Sequence, residues 1–436
     1  MKSRIIEYID NNTKWLIDSL FALIAADTVN HPPFGNENNG QKIIEEIFKG
    51  MDLQIDRFSP DDVQEFKASE VYLKGRDYSN RDNAVGYIGK GEEHTLIFNG
   101  HIDVVPADAS RWRVTKPFEP RLLDGKIYGL GALDMKGGII ASVYSLKAII
   151  DLGIPINGKV IIESVVDEEF GGANGSLACV MKGYTGDFAI IPEPSYMDID
   201  VSNLSSHVFD VIISGSTRAD YLYKKASKTN AILLMSKLIC VLKEYEEYLN
   251  SLKNNYRIYR EIEKPINFLF SSVKAGEIGR DKTLCNPDVC KAVVYLLNYP
   301  EKNETIFKEE LFSFLYQYPD IRDALKDGTI IFSGEGHRLI EGGELDLEKK
   351  ENRDFIDRII KNGRECINRD LKVSALTAGS DFFPFNNYGN TPVIIFGPGG
   401  DNVHAADEYV LLGDLIDLSK LFALAIYEYC CELFSF

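Results

Sequence analysis

A short run of strand-forming residues that stops at a histidine constrains this chain more than any other feature. Thr95-Leu96-Ile97-Phe98 leads into Asn99-Gly100, and His101 and Asp103 follow at once. Such a run, bounded by turn formers, reads as a buried strand. If the backbone stays extended, His101 and Asp103, two apart, face the same side. A neutral imidazole is the commonest metal ligand, and a carboxylate on its other nitrogen fixes the tautomer. His101 could therefore be a ligand and Asp103 its orienting partner, although a lone His-X-Asp is more commonly an ordinary satisfied pair. Asp134 arrives next in Gly129-Leu130-Gly131-Ala132-Leu133-Asp134-Met135-Lys136-Gly137-Gly138, whose glycines permit tight backbone near a site.

The pattern of a strand ending in metal-ligand chemistry recurs. Lys159 to Val166 is nearly continuous in apolar residues and ends in Asp167-Glu168-Glu169. Three adjacent carboxylates repel, and burying one unpaired is costly, so a nearby cation would resolve the conflict; a surface acidic turn is the other reading. Phe188-Ala189-Ile190-Ile191 is followed by Pro192-Glu193-Pro194, and Thr391 to Phe396 by a glycine-rich loop ending at His404. In open α/β sheets ligands bind beyond the carboxyl ends of strands, and here four strand ends each offer His, Asp or Glu. A set of imidazoles and carboxylates without cysteine suits zinc, or cobalt and manganese, in a hydrolytic site.

The rest of the chain supplies the scaffold. Its 436 residues predict two or three domains. Residues 3–26 read as an amphipathic helix interrupted at Asn11-Asn12, and Gln41 to Gly50 as a second helix. Val71-Tyr72-Leu73 and Ala84 to Gly89 are strand-like, Gly138 to Leu152 a buried helix. This alternation predicts an α/β domain with a largely buried sheet. The texture changes near Ser205: a strand over Val208 to Ser214, a long charged helix pattern over Ala226 to Leu252, then strand-like runs within 266–300. The alternation resumes with a helix at Phe355 to Cys366, and Asp414 to Leu433 closes as an apolar helix. We therefore expect a catalytic domain built from residues 1–204 and 341–436, interrupted by an α+β insert over 205–340.

The formal net charge of −18 argues against nucleic-acid binding and against anionic membrane surfaces. The Tyr-rich basic piece Asn255 to Arg260 has acidic neighbours and reads as a solvated helix face. Seven scattered cysteines without a Cys-X-X-Cys pair fit reduced thiols and a cytoplasmic protein. Charges interspersed through Met1 to Asp27 argue against a signal peptide.

Taken together, these segments resemble the M20 family of metallopeptidases and deacylases, which includes acetylornithine deacetylase, succinyl-diaminopimelate desuccinylase and glutamate carboxypeptidase. The matching pieces are Gly100 to Pro106, Gly129 to Gly138, Asp167-Glu168-Glu169, Glu193-Pro194, Ala378-Gly379-Ser380-Asp381, Gly397-Pro398-Gly399 with His404, and Asp407-Glu408-Tyr409. The resemblance implies a zinc-exopeptidase-like α/β/α catalytic domain with an inserted lid and dimerisation domain. It implies two Zn2+ ions, with Co2+ or Mn2+ as alternatives. Asp134 would bridge them, His101 and Glu193 completing one site and Glu169 and His404 the other. Glu168 would be the general base, Asp103 would orient His101, and the Asp134-Met135 peptide would be cis.

The substrate implied is a small N-acyl amino acid or short peptide, and the assembly a homodimer through the insert. The leading expectation is a di-zinc amidohydrolase cleaving an N-acyl amino acid; a dipeptidase or aminopeptidase of the same family is the alternative. The insert departs from the family. It usually carries a histidine that reaches the partner subunit's active site, yet no histidine lies between His207 and His337. Arg218 or His207 could substitute. The family's later Asp-X-Arg before a proline is replaced by Leu296-Leu297-Asn298-Tyr299-Pro300, and Arg280 and Asn286 are candidate contacts for a substrate carboxylate. That departure motivates a reading of another class, a catalytically impaired metal-binding relative, against which the presence of Glu168 argues. A dinucleotide-binding fold fits poorly, because Gly129-X-Gly131 is followed by Asp134 instead of a third glycine.

Overall fold

The computed structural model describes residues 1–90, 94–171, 173–222, 229–276, 284–301 and 303–432. The chain forms two compact units, one of Met1–Ser202, Glu344–Leu376 and Ser380–Phe436, the other of Asn203–Gly343 with Thr377–Gly379.

The first unit is built on a nine-stranded mixed sheet. Its strands are β1 (Gln54–Phe58), β2 (Asn83–Gly89), β3 (Thr95–His101), β4 (Lys159–Val165), β5 (Phe188–Ile191), β6 (Ile199–Asn203), β7 (Gly343–Glu344), β8 (Val373–Leu376) and β9 (Val393–Ile395). They lie in the order β7-β6-β9-β5-β3-β4-β2-β1, with β8 beside β6. The central four, β9, β5, β3 and β4, are parallel, while β2 and β1 on one flank and β6 on the other pair antiparallel. All of β3 and β5 is buried, which explains why they read as continuous apolar runs.

Among the described residues its longer helices are α1 (Lys2–Asn11), α2 (Thr13–Ala25), α3 (Asn38–Gly50), α4 (Gly137–Asp151), α5 (Asn174–Lys182), α6 (Lys350–Ile367) and α7 (Leu412–Ile426). Side-chain alternation along β3 assigns them to faces. Phe98 meets Phe422 of α7, with ring centroids 5.0 Å apart. A Cβ on Gly100 would lie 2.7 Å from Ile139 of α4. Asn99, between them, points the other way and accepts a hydrogen bond from Ser176 of α5 at 3.2 Å. Thus α4 and α7 cover one face and α5 the other. Twelve of the fifteen residues of α4 are buried, so that helix is sheet-packed on one side and helix-packed on the other.

Several expected boundaries move. Asn12 separates α1 from α2, as the paired asparagines suggest. Val71-Tyr72-Leu73 is not a strand. The backbone N–H and carbonyl of Leu73 bond to the Asn174 side chain at 3.1 and 3.0 Å, which satisfies them without a partner strand. The final helix ends at Ile426 and widens into a turn over Tyr427–Cys431, and Leu433 lies outside the described residues.

The second unit is a four-stranded antiparallel sheet ordered Leu269–Ala275, Val289–Asn298, Ser205–Ser214, Ile330–Ser333. Phe209, Val211 and Ile213 alternate inward along Ser205–Ser214. The long helix starts at Ala231, and runs to Ser251 with Met235, Leu238, Val241, Leu242, Tyr245 and Leu249 buried. Its charged residues occupy the other face, apart from Glu246, which is buried and accepts from Phe268 N at 2.7 Å. Thr377–Gly379 also belongs to this unit, although the sequence places it with the catalytic part. Leu204 N donates to Ala378 O at 3.1 Å, and Gly379 N to the Tyr295 hydroxyl at 3.2 Å.

Asn230 caps the long helix by accepting from Ile232 N at 3.0 Å and Leu233 N at 3.2 Å. Replacing Asn230 by alanine leaves those two donors without that acceptor. Asn230→Ala should destabilise the insert by about 1 kcal/mol, read as a lowered midpoint in chemical denaturation.

Candidate metal centre

The four parallel strands end together and deliver His101 from β3, the Asp167–Glu169 loop from β4, Glu193 from β5 and the His404 loop from β9. Asp134 enters from the turn that precedes α4. Its carboxylate reaches two imidazoles with different oxygens. Oδ1 is 3.0 Å from His101 Nε2, and Oδ2 is 3.3 Å from His404 Nε2. Each imidazole has a second carboxylate: Glu193 Oε1 stands 3.4 Å from His101 Nε2, and Glu169 Oε2 stands 2.8 Å from His404 Nε2. His101, Asp134 and Glu169 each offer one ligand atom, all within 4.8 Å of one another.

The electrostatics fit a cation-binding centre. Burial pushes the Glu193 carboxyl up to about 7, and neighbouring Asp134 adds to it. Burial also raises Glu169 and carries Glu168 well above the carboxylate range, where Asp381, Glu193 and Glu169 add repulsion. For Asp134 burial is outweighed by the two imidazoles, which hold it well below its ordinary value. Glu169 pushes the His404 imidazole up to about 12. For His101 burial opposes the shift, yet Glu193 and Asp134 prevail and raise it well above the ordinary range. Protons thus collect on three glutamates and two imidazoles around an ionised Asp134, and this nitrogen and oxygen donor set suits Zn2+, Co2+ or Mn2+.

Asp103 lies beneath the centre, between His101 and the acidic loop. His101 Nδ1 lies 3.0 Å from the backbone carbonyl of Asp103, while the Asp103 carboxylate is 3.7 Å away. The carbonyl is thus the nearer acceptor for that nitrogen. The carboxylate instead accepts from Glu168 N at 3.1 and 3.2 Å and from Glu169 N at 3.1 Å. A second buried carboxylate, Glu408, does the same for the Asp134 turn. It accepts from Gly131 N, Leu133 N and Asp134 N at 2.9, 2.8 and 3.1 Å. The Asp134-Met135 peptide within that turn is cis.

Sequence reasoning missed Asn30, Glu37, Tyr78 and Arg81. All four are buried beneath the centre. Arg81 sits in Ser79-Asn80-Arg81-Asp82-Asn83, which reads as a solvated polar turn; nothing in that string marks the guanidinium as interior. Within the insert, both nitrogens of His207 are engaged, Nδ1 with Val208 O at 2.9 Å and Nε2 with Glu304 at 3.2 Å. Arg218 Nε stands 3.7 Å from Asp220, and the Asn286 amide bonds Asp220 at 2.7 Å and Asn230 at 2.8 Å. Arg280 lies outside the described residues.

Glycines clamp the Glu193 loop. A Cβ on Gly397 would fall 2.0 Å from Glu193 O, and one on Gly138 2.2 Å from Pro192 O. Both contacts are to backbone, which cannot swing aside as a side chain would. Gly397→Ala should cost about 1–3 kcal/mol of stability through overpacking and lower the bound metal per chain, read by thermal melting and elemental analysis.

The chain is similar to known proteins over most of its length. The profile described as Peptidase family M20/M25/M40 matches residues 97–428. The N-formyl-4-amino-5-aminomethyl-2-methylpyrimidine deformylase of Halalkalibacterium halodurans is 27% identical over 440 residues, covering 98% of this chain and 97% of its own. The Bacillus subtilis protein of the same name is 28% identical over 376 residues, 81% of this chain and 84% of its own. Among solved structures, the Saccharomyces cerevisiae di-peptidase Dug1p superposes with a TM-score of 0.75 at 14% identity over 99% of each chain. With a family profile spanning most of its length and this α/β architecture, the chain belongs to peptidase family M20/M25/M40 and is a hydrolase of that family.

Proposed function

We propose that this protein is a two-metal amide hydrolase that removes a short acyl group from a small amine. One observation carries the reading: the two oxygens of Asp134 are divided between His101 and His404, and a further carboxylate stands beside each imidazole. Asp134, His101 and Glu193 would hold one ion, and Asp134, His404 and Glu169 the other. Two Zn2+ ions, or Co2+ or Mn2+ in their place, would polarise the scissile carbonyl and make water a nucleophile at neutral pH. The chain's own part is proton transfer and orientation. Glu168, next to Glu169 and not itself assigned to either ion, takes the proton of the attacking water as a carboxylate and delivers it to the departing nitrogen as the C–N bond breaks. Asp103 fixes the loop on which Glu168 sits, through the two backbone N–H bonds.

The substrate class we favour is an N-formyl amide of an aromatic aminomethyl compound. Two relatives aligned over most of their length are named for that chemistry. The absence of the family's Asp-X-Arg at Leu296-Leu297-Asn298 supports an amine without a carboxylate to be recognised. An N-acyl amino acid or a dipeptide is the second reading, favoured by the motifs shared with deacetylases and desuccinylases. Among the described residues the strand Leu269–Ala275 is the outermost of the insert's sheet, with Leu269 and Val273 exposed, which supports a homodimer formed through it. All seven cysteines are free thiols, in keeping with a cytoplasmic protein.

The test is hydrolysis by the Zn2+- or Co2+-loaded chain of a panel containing N-formyl aminomethylpyrimidine, N-acetylornithine, N-succinyl-diaminopimelate and dipeptides. Glu168→Gln should retain its metals and lose about 10²–10⁴-fold in kcat. A wild-type protein that holds two metals and turns over none of the panel would contradict an amide hydrolase and favour a metal-binding relative without efficient turnover.

A further inference from the structure

Beneath the centre lies a buried polar network that the proposed chemistry does not itself use. Asn30 has no solvent exposure, and its amide nitrogen stands between two carboxylates, 2.9 Å from Asp103 Oδ2 and 3.3 Å from Asp167 Oδ1. Those carboxylates grip opposite ends of one short loop. Asp103 accepts from the backbone of Glu168 and Glu169, and Asp167 is the residue at which the loop begins, in the left-handed region at φ +66°. Asp167 is further held by the Tyr78 hydroxyl at 2.6 Å, Arg76 Nε at 3.3 Å and Arg81 Nη2 at 3.4 Å.

Asn30 is itself oriented. Its carbonyl oxygen accepts from Arg81 Nη2 at 3.2 Å, which fixes which end of the amide faces the carboxylates. Arg81 is fully buried, and its Nε is shared by the two oxygens of Glu37 at 3.0 and 2.9 Å. A guanidinium anchored in this way cannot follow the loop, so it acts as a fixed post. Without the amide, Asp103 Oδ2 would lose a buried donor and a side chain that ties Asp103 to Asp167 would be gone, leaving the loop's two ends free to shift relative to each other. We propose that Asn30, held by Arg81, is a positioning residue that sets the loop carrying Glu168 and Glu169, so that proton transfer and the metal site on the Glu169 side are tuned from below. The inference rests on the roles proposed above for those two glutamates.

The test uses the full chain with Asn30→Leu and Tyr78→Phe beside wild type. Two readouts are taken: kcat and KM on whichever amide of the panel is hydrolysed, and a Co2+ titration followed by visible absorption, which needs no substrate. Asn30→Leu should lower kcat by 30-fold or more with KM changed less than threefold, and should weaken one Co2+ equivalent at least tenfold while sparing the other. Tyr78→Phe removes one donor and almost no volume, and should lower kcat at least threefold at unchanged KM. If Asn30→Leu does not fold, Tyr78→Phe decides alone. A lowered melting temperature with kcat and both Co2+ equivalents at wild-type values would overturn the proposal and leave the network a purely structural one. If wild type hydrolyses no amide, the proposed function fails, and the Co2+ titration still decides for or against the positioning role.

Discussion

Asp134 stands between two imidazoles with one carboxylate oxygen turned to each, and the surrounding structure serves that arrangement. A buried carboxylate alone would take up a proton; here the two imidazoles hold it ionised. They in turn draw Glu193 and Glu169 inward, and the result is an anionic pocket that only protons or cations can neutralise. The sheet makes the convergence possible. Because β9, β5, β3 and β4 are parallel neighbours, their carboxyl ends open on one edge, and chemistry from sequence-distant segments meets there.

Such a pocket is unstable against its own repulsion unless the backbone beneath it is fixed. Three buried devices do this. Glu408 collects three N–H groups of the Asp134 turn. Asp103 collects those of Glu168 and Glu169. The glycines at 138 and 397 let neighbouring backbone press on Pro192 and Glu193 without an intervening side chain. Each holds a loop through its main chain, which leaves the functional side chains free to face the pocket.

The parts of this architecture legible in the sequence are those in which burial writes a pattern. The nearly continuous apolar run from Val160 to Val166, interrupted by Glu163 and Ser164, announces β4, and the paired asparagines mark the break between α1 and α2. The acidic and imidazole residues at strand ends are legible because polar groups directly after buried strands are costly without a purpose. What could not be read is side-chain direction. The spacing of His101 and Asp103 is satisfied equally by a carboxylate or a carbonyl at the imidazole nitrogen, and the structure uses the carbonyl. Arg81 lies in a string of polar residues that reads as surface, whereas its burial depends on Glu37, distant in sequence. The three residues Thr377–Gly379 join the second unit through contacts with Leu204 and Tyr295 that no local pattern records.

In the proposed centre one carboxylate, that of Asp134, would be shared by two metal ions. The most direct measurement is anomalous X-ray scattering at the zinc edge from crystals grown with Zn2+. Two peaks are expected, roughly 3.5–4 Å apart, one beside each oxygen of Asp134, with His101 and Glu193 at one and His404 and Glu169 at the other. A single peak, or two peaks that do not share Asp134, would contradict it.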